Sequence, residues 1–281
     1  MKTLLVPVDF TATSENAVNF AIEWCRAYEY ERIILLKTFY DSIFEGLIVS
    51  AEYSNVNEEY INRQREDDRE QLDALCKSVA DRLSGVKVMT AVSEFPLLRG
   101  IFEILQNEKP DLIIVGSDNY SYSSGSIISG NVISIAKTSP IRVLVVPADY
   151  TYQPVQQVLL PYNLNMLKDL DKLNSLQSSP EWNNLKLLVL NIDTNQRIIK
   201  VPEKYNEAED KFQDLLKNFE HEIYYTTDKN LINSIANFTK EHTVQLIIAL
   251  PRKHSFLYRL THQSISEAIY RNAKQPVLIL K

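Results

Sequence analysis

Asp111 to Pro147 reads DLIIVGSDNYSYSSGSIISGNVISIAKTSPIRVLVVP, and the fold of the chain follows from how this stretch divides. Leu112 to Val115 is a short, continuous apolar run, rich in β-branched residues and closed by Gly116. A strand buried on both faces of a parallel sheet has this pattern. A polar, glycine-bearing loop is expected from Ser117 to Ser129. From Gly130 to Thr138, the apolar residues Val132, Ile133, Ile135 and Ala136 have helical spacing. Ser139-Pro140 stops that helix, because proline disfavours the α region for the residue before it. Arg142 to Val146 is the next strand, and Pro147 ends it.

A glycine loop between a buried strand and a helix N-terminus is a natural seat for a phosphate. Glycine lets the backbone approach closely, and the free N–H groups and positive end of the helix face the anion. The other reading is a Ser/Tyr-rich surface loop, and these residues alone leave both open.

Outward from this stretch, strands and helices alternate. Lys2 to Val8 is an apolar strand ending at Asp9, with Thr11, Thr13 and Ser14 offering N-cap oxygens to the next helix. That helix carries Ala17, Phe20, Ala21, Trp24, Cys25 and Tyr28 on one face. Arg32 to Leu36 is the second strand, and the connection from Phe39 to Val56 has no clear pattern. Asn57 to Leu83 reads as one long helix with a charged outer face and a stripe of Leu72, Leu75, Cys76, Val79 and Leu83. Mixed charge of this kind is a solvated face with i,i+4 pairs. Gly85 fits a helix-ending glycine, Val86 to Val92 a third strand, and Pro96 to Leu105 a short helix. Five strands alternating with helices imply an α/β domain with an open parallel sheet, whose ligand crevice lies at the C-terminal strand ends. Asp9 and Gly116 both sit at such ends.

The pattern then restarts. VQQVLL from Val155 answers the first strand, LKLLVL from Leu185 the second, LIIA from Leu246 the fourth and VLIL from Val277 the fifth. Asn163 stands where the first half has Asp9, an offset of 154 residues. Leu246 against Leu112 and Val277 against Val143 share an offset of 134. Two strands matching at one offset indicate a diverged repeat with a shortened middle. The expected domains are 1–148 and 155–281, joined by a linker at 149–154.

Composition excludes several classes. A chain of 281 residues with 45% hydrophobic content can bury a sizeable core. Its net charge of -6 argues against an electrostatic grip on nucleic acid or anionic lipid. No apolar run is long enough to span a bilayer, and Pro7 and Asp9 interrupt the N-terminal run before it could serve as a signal core. Cys25 and Cys76 lie in helical apolar patterns, as small hydrophobes of a reducing compartment do. The expected location is the cytoplasm.

The chain resembles the universal stress protein family over nearly its whole length, as two tandem domains. The residues that carry the resemblance are Val6-Pro7-Val8-Asp9-Phe10-Thr11 with Ser14, then Gly116, Gly130 and Val143-Leu144-Val145-Val146-Pro147. The resemblance implies a Rossmann-like open sheet of strand order 3-2-1-4-5, of the adenine nucleotide α-hydrolase type. It implies pairing of two domains, or of two chains, through their last strands. It also implies a site for ATP or AMP, with Asp9 on the adenosine side and Gly116, Ser117, Gly130 and Asn131 around ribose and phosphates. The sequence departs from the family motif in three places. Asn119 replaces the second glycine, the spacing to Gly130 is one residue longer, and Asn131 replaces a hydroxyl residue. In the second half Asn163 replaces the aspartate, and the loop from Leu250 to Ser264 has no glycine, so no nucleotide is expected there.

His221, His242, His254 and His262 form no zinc motif, and no G-x-S-x-G elbow supports a serine nucleophile. Three readings follow. The first is a regulatory or structural binding module without catalysis. The second is an adenine-nucleotide sensor acting through Asp9 and the Gly116–Gly130 loop. The third is a slow ATPase, with Asp118 as a route to Mg²⁺.

Overall fold

The computed structural model describes residues 1–39, 54–118, 126–162, 172–173, 176, 182, 185–192, 210, 212–227, 231–250 and 274–281, with backbone only at 54–58 and 231. The expectations for Asn119, Asn163 and the 251–264 loop lie outside these residues. The chain divides into two compact units, Met1–Ile141 and Arg142–Lys281.

In the first unit the order is β1 (Thr3–Pro7), α1 (Ala12–Tyr28), β2 (Arg32–Thr38), α2 (Ser54–Arg82), β3 (Lys87–Ser93), α3 (Leu97–Asn107), β4 (Leu112–Ser117) and α4 (Ile127–Thr138). The strands run β3-β2-β1-β4 across the sheet, all parallel. The apolar runs form the centre: Leu4, Leu5, Val6, Ile113, Ile114 and Val115 have no exposed surface. Continuous burial is what a parallel strand covered on both faces requires. The helices supply the cover. α1 buries Ala17, Phe20, Ala21, Trp24 and Cys25, with the Phe20 and Trp24 rings stacked at 5.8 Å. α2 turns Leu72 and Val79 inward, and Gly85 follows its end at φ +81°, where a side chain would be strained.

The second unit begins with β5 (Arg142–Pro147), followed by β6 (Gln157–Tyr162), β7 (Lys186–Ile192), β8 (Glu220–Thr226), α5 (Leu231–Glu241), β9 (Leu246–Ala249) and β10 (Val277–Ile279). Its strands run β5-β10-β9-β6-β7-β8. All pairs are parallel except β10 with β5, which is antiparallel with Leu278 opposite Leu144. That pairing draws β5 into the second unit, so the division falls before Arg142, ahead of the boundary expected at 148. The two halves repeat one register: Leu4 lies opposite Leu112, and Val158 lies opposite Leu246. Counted within its own half, β8-β7-β6-β9-β10 is the order 3-2-1-4-5.

Candidate functional site

Asp9 follows β1, and Asp118 follows β4, the neighbouring strand in the sheet. Both therefore emerge at the C-terminal edge of the first unit's sheet, where α1 and α4 begin. Phe10, between Asp9 and the α1 cap, has φ 58°, a left-handed conformation unusual for a bulky side chain. Its ring lies 4.9 Å from Lys37 Nζ, and that ammonium pairs with Asp68 of α2 at 3.4 Å.

The Asp9 carboxylate is held on both sides. Its Oδ1 accepts from Thr11 Oγ1 at 2.6 Å and Thr11 N at 3.2 Å. Its Oδ2 accepts from Ser126 Oγ at 2.7 Å and Ile128 N at 3.2 Å. Ser14 Oγ accepts from Asp9 N at 3.3 Å and donates to Thr11 O at 3.1 Å. Burial pushes the carboxyl pKa up. The hydrogen bonds from Thr11, Ser126, Ile128 and Ser14 outweigh it and leave Asp9 below the usual aspartate value.

Ser126 is the N-cap of α4, accepting from Ser129 N at 3.1 Å. Ser129 Oγ accepts from Asp118 N at 2.9 Å and donates to Asp118 Oδ1. Two serines in one helical turn thus tie α4 to the ends of β1 and β4.

The other expected site residues take different places. Gly116 lies in β4, and a Cβ there would stand 2.4 Å from Thr13 O. The backbone of α1 fills the space that a side chain would need. Ser117 is the last residue of β4 and is 1% exposed. α4 begins at Ile127, three residues before the expected start, so Gly130 is its fourth residue rather than its first. Nothing stands within 4 Å of a Cβ built on Gly130. Asn131 turns its Nδ2 back to Ile127 O at 2.9 Å. The earlier start was signalled by Ser126-Ile-Ile-Ser129, a serine followed by an apolar run.

Among the described residues no group of three or more His, Cys, Asp or Glu is placed to hold a metal. His221 bonds to Phe219 O at 2.9 Å, and His242 stacks on Phe238 with ring centres 4.0 Å apart. Cys25 and Cys76 are both free thiols. Among the described residues no helix is long and apolar enough to cross a membrane.

The model of the Universal stress protein family matches residues 1–147, just over half of the chain. Among the solved structures that resemble the whole chain are two universal stress proteins or putative ones. A universal stress protein from Archaeoglobus fulgidus is 15% identical with a TM-score of 0.63, over 99% of this chain and 96% of its own. A putative universal stress protein from Pseudomonas aeruginosa is 13% identical with a TM-score of 0.59, over 100% of this chain and 93% of its own. At such identity these two likenesses establish the fold alone. Among curated proteins, none matches significantly.

Proposed function

The chain belongs to the universal stress protein family, and on that premise we propose that it is a cytoplasmic stress-response module that regulates by binding, without evident catalysis. The second unit acts as a scaffold. One observation carries this reading: the two acids at the crevice end of the first sheet, Asp9 and Asp118, are each bonded to a serine of α4. Both serines face carboxylates that orient a helix.

A second reading has its own support. Asp9, Gly116, Ser117 and the α4 turn bearing Gly130 gather at one end of the first unit, where an open α/β sheet binds its ligands. An adenine-nucleotide sensor for ATP or AMP would use that end. A slow ATPase would add Asp118 as a carboxylate for Mg²⁺.

The test is to denature purified protein and analyse what is released, then to titrate ATP and AMP calorimetrically. The module reading expects no released nucleotide, no heat and no thermal stabilisation at saturating ATP. Heat with a defined stoichiometry replaces it with the sensor reading. Turnover lost in Asp118→Ala replaces it with the ATPase reading.

A further inference from the structure

We infer that the Asp9 carboxylate is the resident anion of the α4 N-terminus, seated where a phosphate would otherwise be drawn. The first turn of a helix leaves its leading amides without partners in the helix and carries the positive end of the dipole. In α4 the chain supplies partners for two of those amides. Ile128 N donates to Asp9 Oδ2 at 3.2 Å, and Ser129 N to Ser126 Oγ at 3.1 Å. The Ser126 hydroxyl donates to the same Oδ2 at 2.7 Å. A helix amide and a cap hydroxyl thus converge on one carboxylate oxygen, the pair of donors a phosphate oxygen would seek.

The second oxygen is no freer, because both donors of Thr11 point at Oδ1. With four donors around it, the carboxylate is close to its accepting capacity. An entering phosphate would have to displace Asp9 from Ile128 and Ser126. It would then lie beside Asp118, whose carboxylate holds the next serine of the same turn. The nucleotide implied by the family motif therefore does not fit this helix end as folded. Asp9 acts here as a positioning residue that fastens α4 to the end of β1.

This inference rests on the reading of the first unit as a module without bound nucleotide, yet the two fail separately. Nucleotide titration of the wild type tests that reading. The Ile128 amide tests this one. In the full chain, the Ile128 amide proton is followed by NMR through an acid titration. The expected result is a carboxyl-linked shift that disappears in Asp9→Asn. Thermal midpoints of wild type and Asp9→Ser are then measured in inorganic phosphate against chloride at matched ionic strength. The midpoint of Asp9→Ser is expected to rise with phosphate while that of the wild type stays level. An Ile128 amide indifferent to Asp9 overturns the proposal. So does a wild type that gains as much from phosphate as Asp9→Ser, or an Asp9→Ser that gains nothing. The amide titration needs only the wild type and the near-isosteric Asn variant, so it decides the matter even where Asp9→Ser fails to fold.

Discussion

Asp111 Oδ2 accepts the main-chain N–H of Thr3 at 2.7 Å, and the N–H of Asp111 returns to Thr3 O at 2.9 Å. The residue before β4 is thereby clamped to the first residue of β1. Gln245 and Gln157 repeat the clamp in the second unit: Gln245 Oε1 accepts from Gln157 N at 2.8 Å, and Gln245 N donates to Gln157 O at 3.2 Å. The carboxylate has become an amide, but the acceptor is kept. Thr3 is 1% exposed and water cannot easily replace that acceptor.

Removing the acceptor should therefore cost stability in both halves. Asp111→Ala is expected to lower unfolding free energy by about 1–3 kcal/mol, and Asp111→Asn by less. Gln245→Ala should cost more than a single bond, because its Oε1 also accepts from Gln156 N at 3.0 Å. Urea denaturation followed by circular dichroism measures both. An Asp111→Ala protein as stable as the wild type would show that the clamp contributes nothing.

The two motif glycines should respond oppositely to alanine. Gly116→Ala drives a methyl group against Thr13 O, 2.4 Å away, and should destabilise by about 1–3 kcal/mol or more. Gly130→Ala meets open space in a helical turn and should stabilise by about 0.5–1 kcal/mol. Equal effects in the same denaturation series would mean that the glycines do not differ in packing.

Acid stability should report Asp9. Its pKa is depressed in the folded state, so its contribution is fully present above the unfolded aspartate value of about 3.9. The contribution is lost as pH falls through the lower folded value. Asp9→Asn should therefore be less stable than wild type near neutrality, with the gap closing as the pH drops below that of an unfolded aspartate. A constant gap across this range would show that ionisation of Asp9 is not linked to folding.

The two thiols should react in sequence. Burial pushes Cys25 up to about 11, and its Sγ donates to Tyr30 O at 3.1 Å. Cys76, half-buried on α2, is raised by burial and by Asp73. Iodoacetamide at pH 8 should label Cys76 first in native protein and reach Cys25 only on unfolding. Peptide mapping that finds Cys25 labelled first would contradict the packing of α1.

Much of the fold was readable from local pattern. LLV, IILL, LIIV and VLVV are apolar runs too short for helices, and each is a buried strand. The restart after Pro154 was readable too, because the register repeats at two fixed offsets. The start of α4 was placed three residues late, at Gly130, because the polar, serine-rich run before it reads as loop, whereas the N-cap is Ser126. At Gly116 only the structure shows that the missing side chain makes room for the backbone of α1.

Periodicity and spacing were thus enough for the alternation of elements, the buried faces and the recurrence of one topology. These follow from how a residue sits among its near neighbours. What holds Asp9 could be learnt only in three dimensions. Its partners Ser126 and Ile128 lie 117 and 119 residues away in the chain. No local pattern distinguishes an aspartate waiting for a ligand from one bonded across the sheet edge. That difference lies in which donors reach its two oxygens once β1 and β4 are paired.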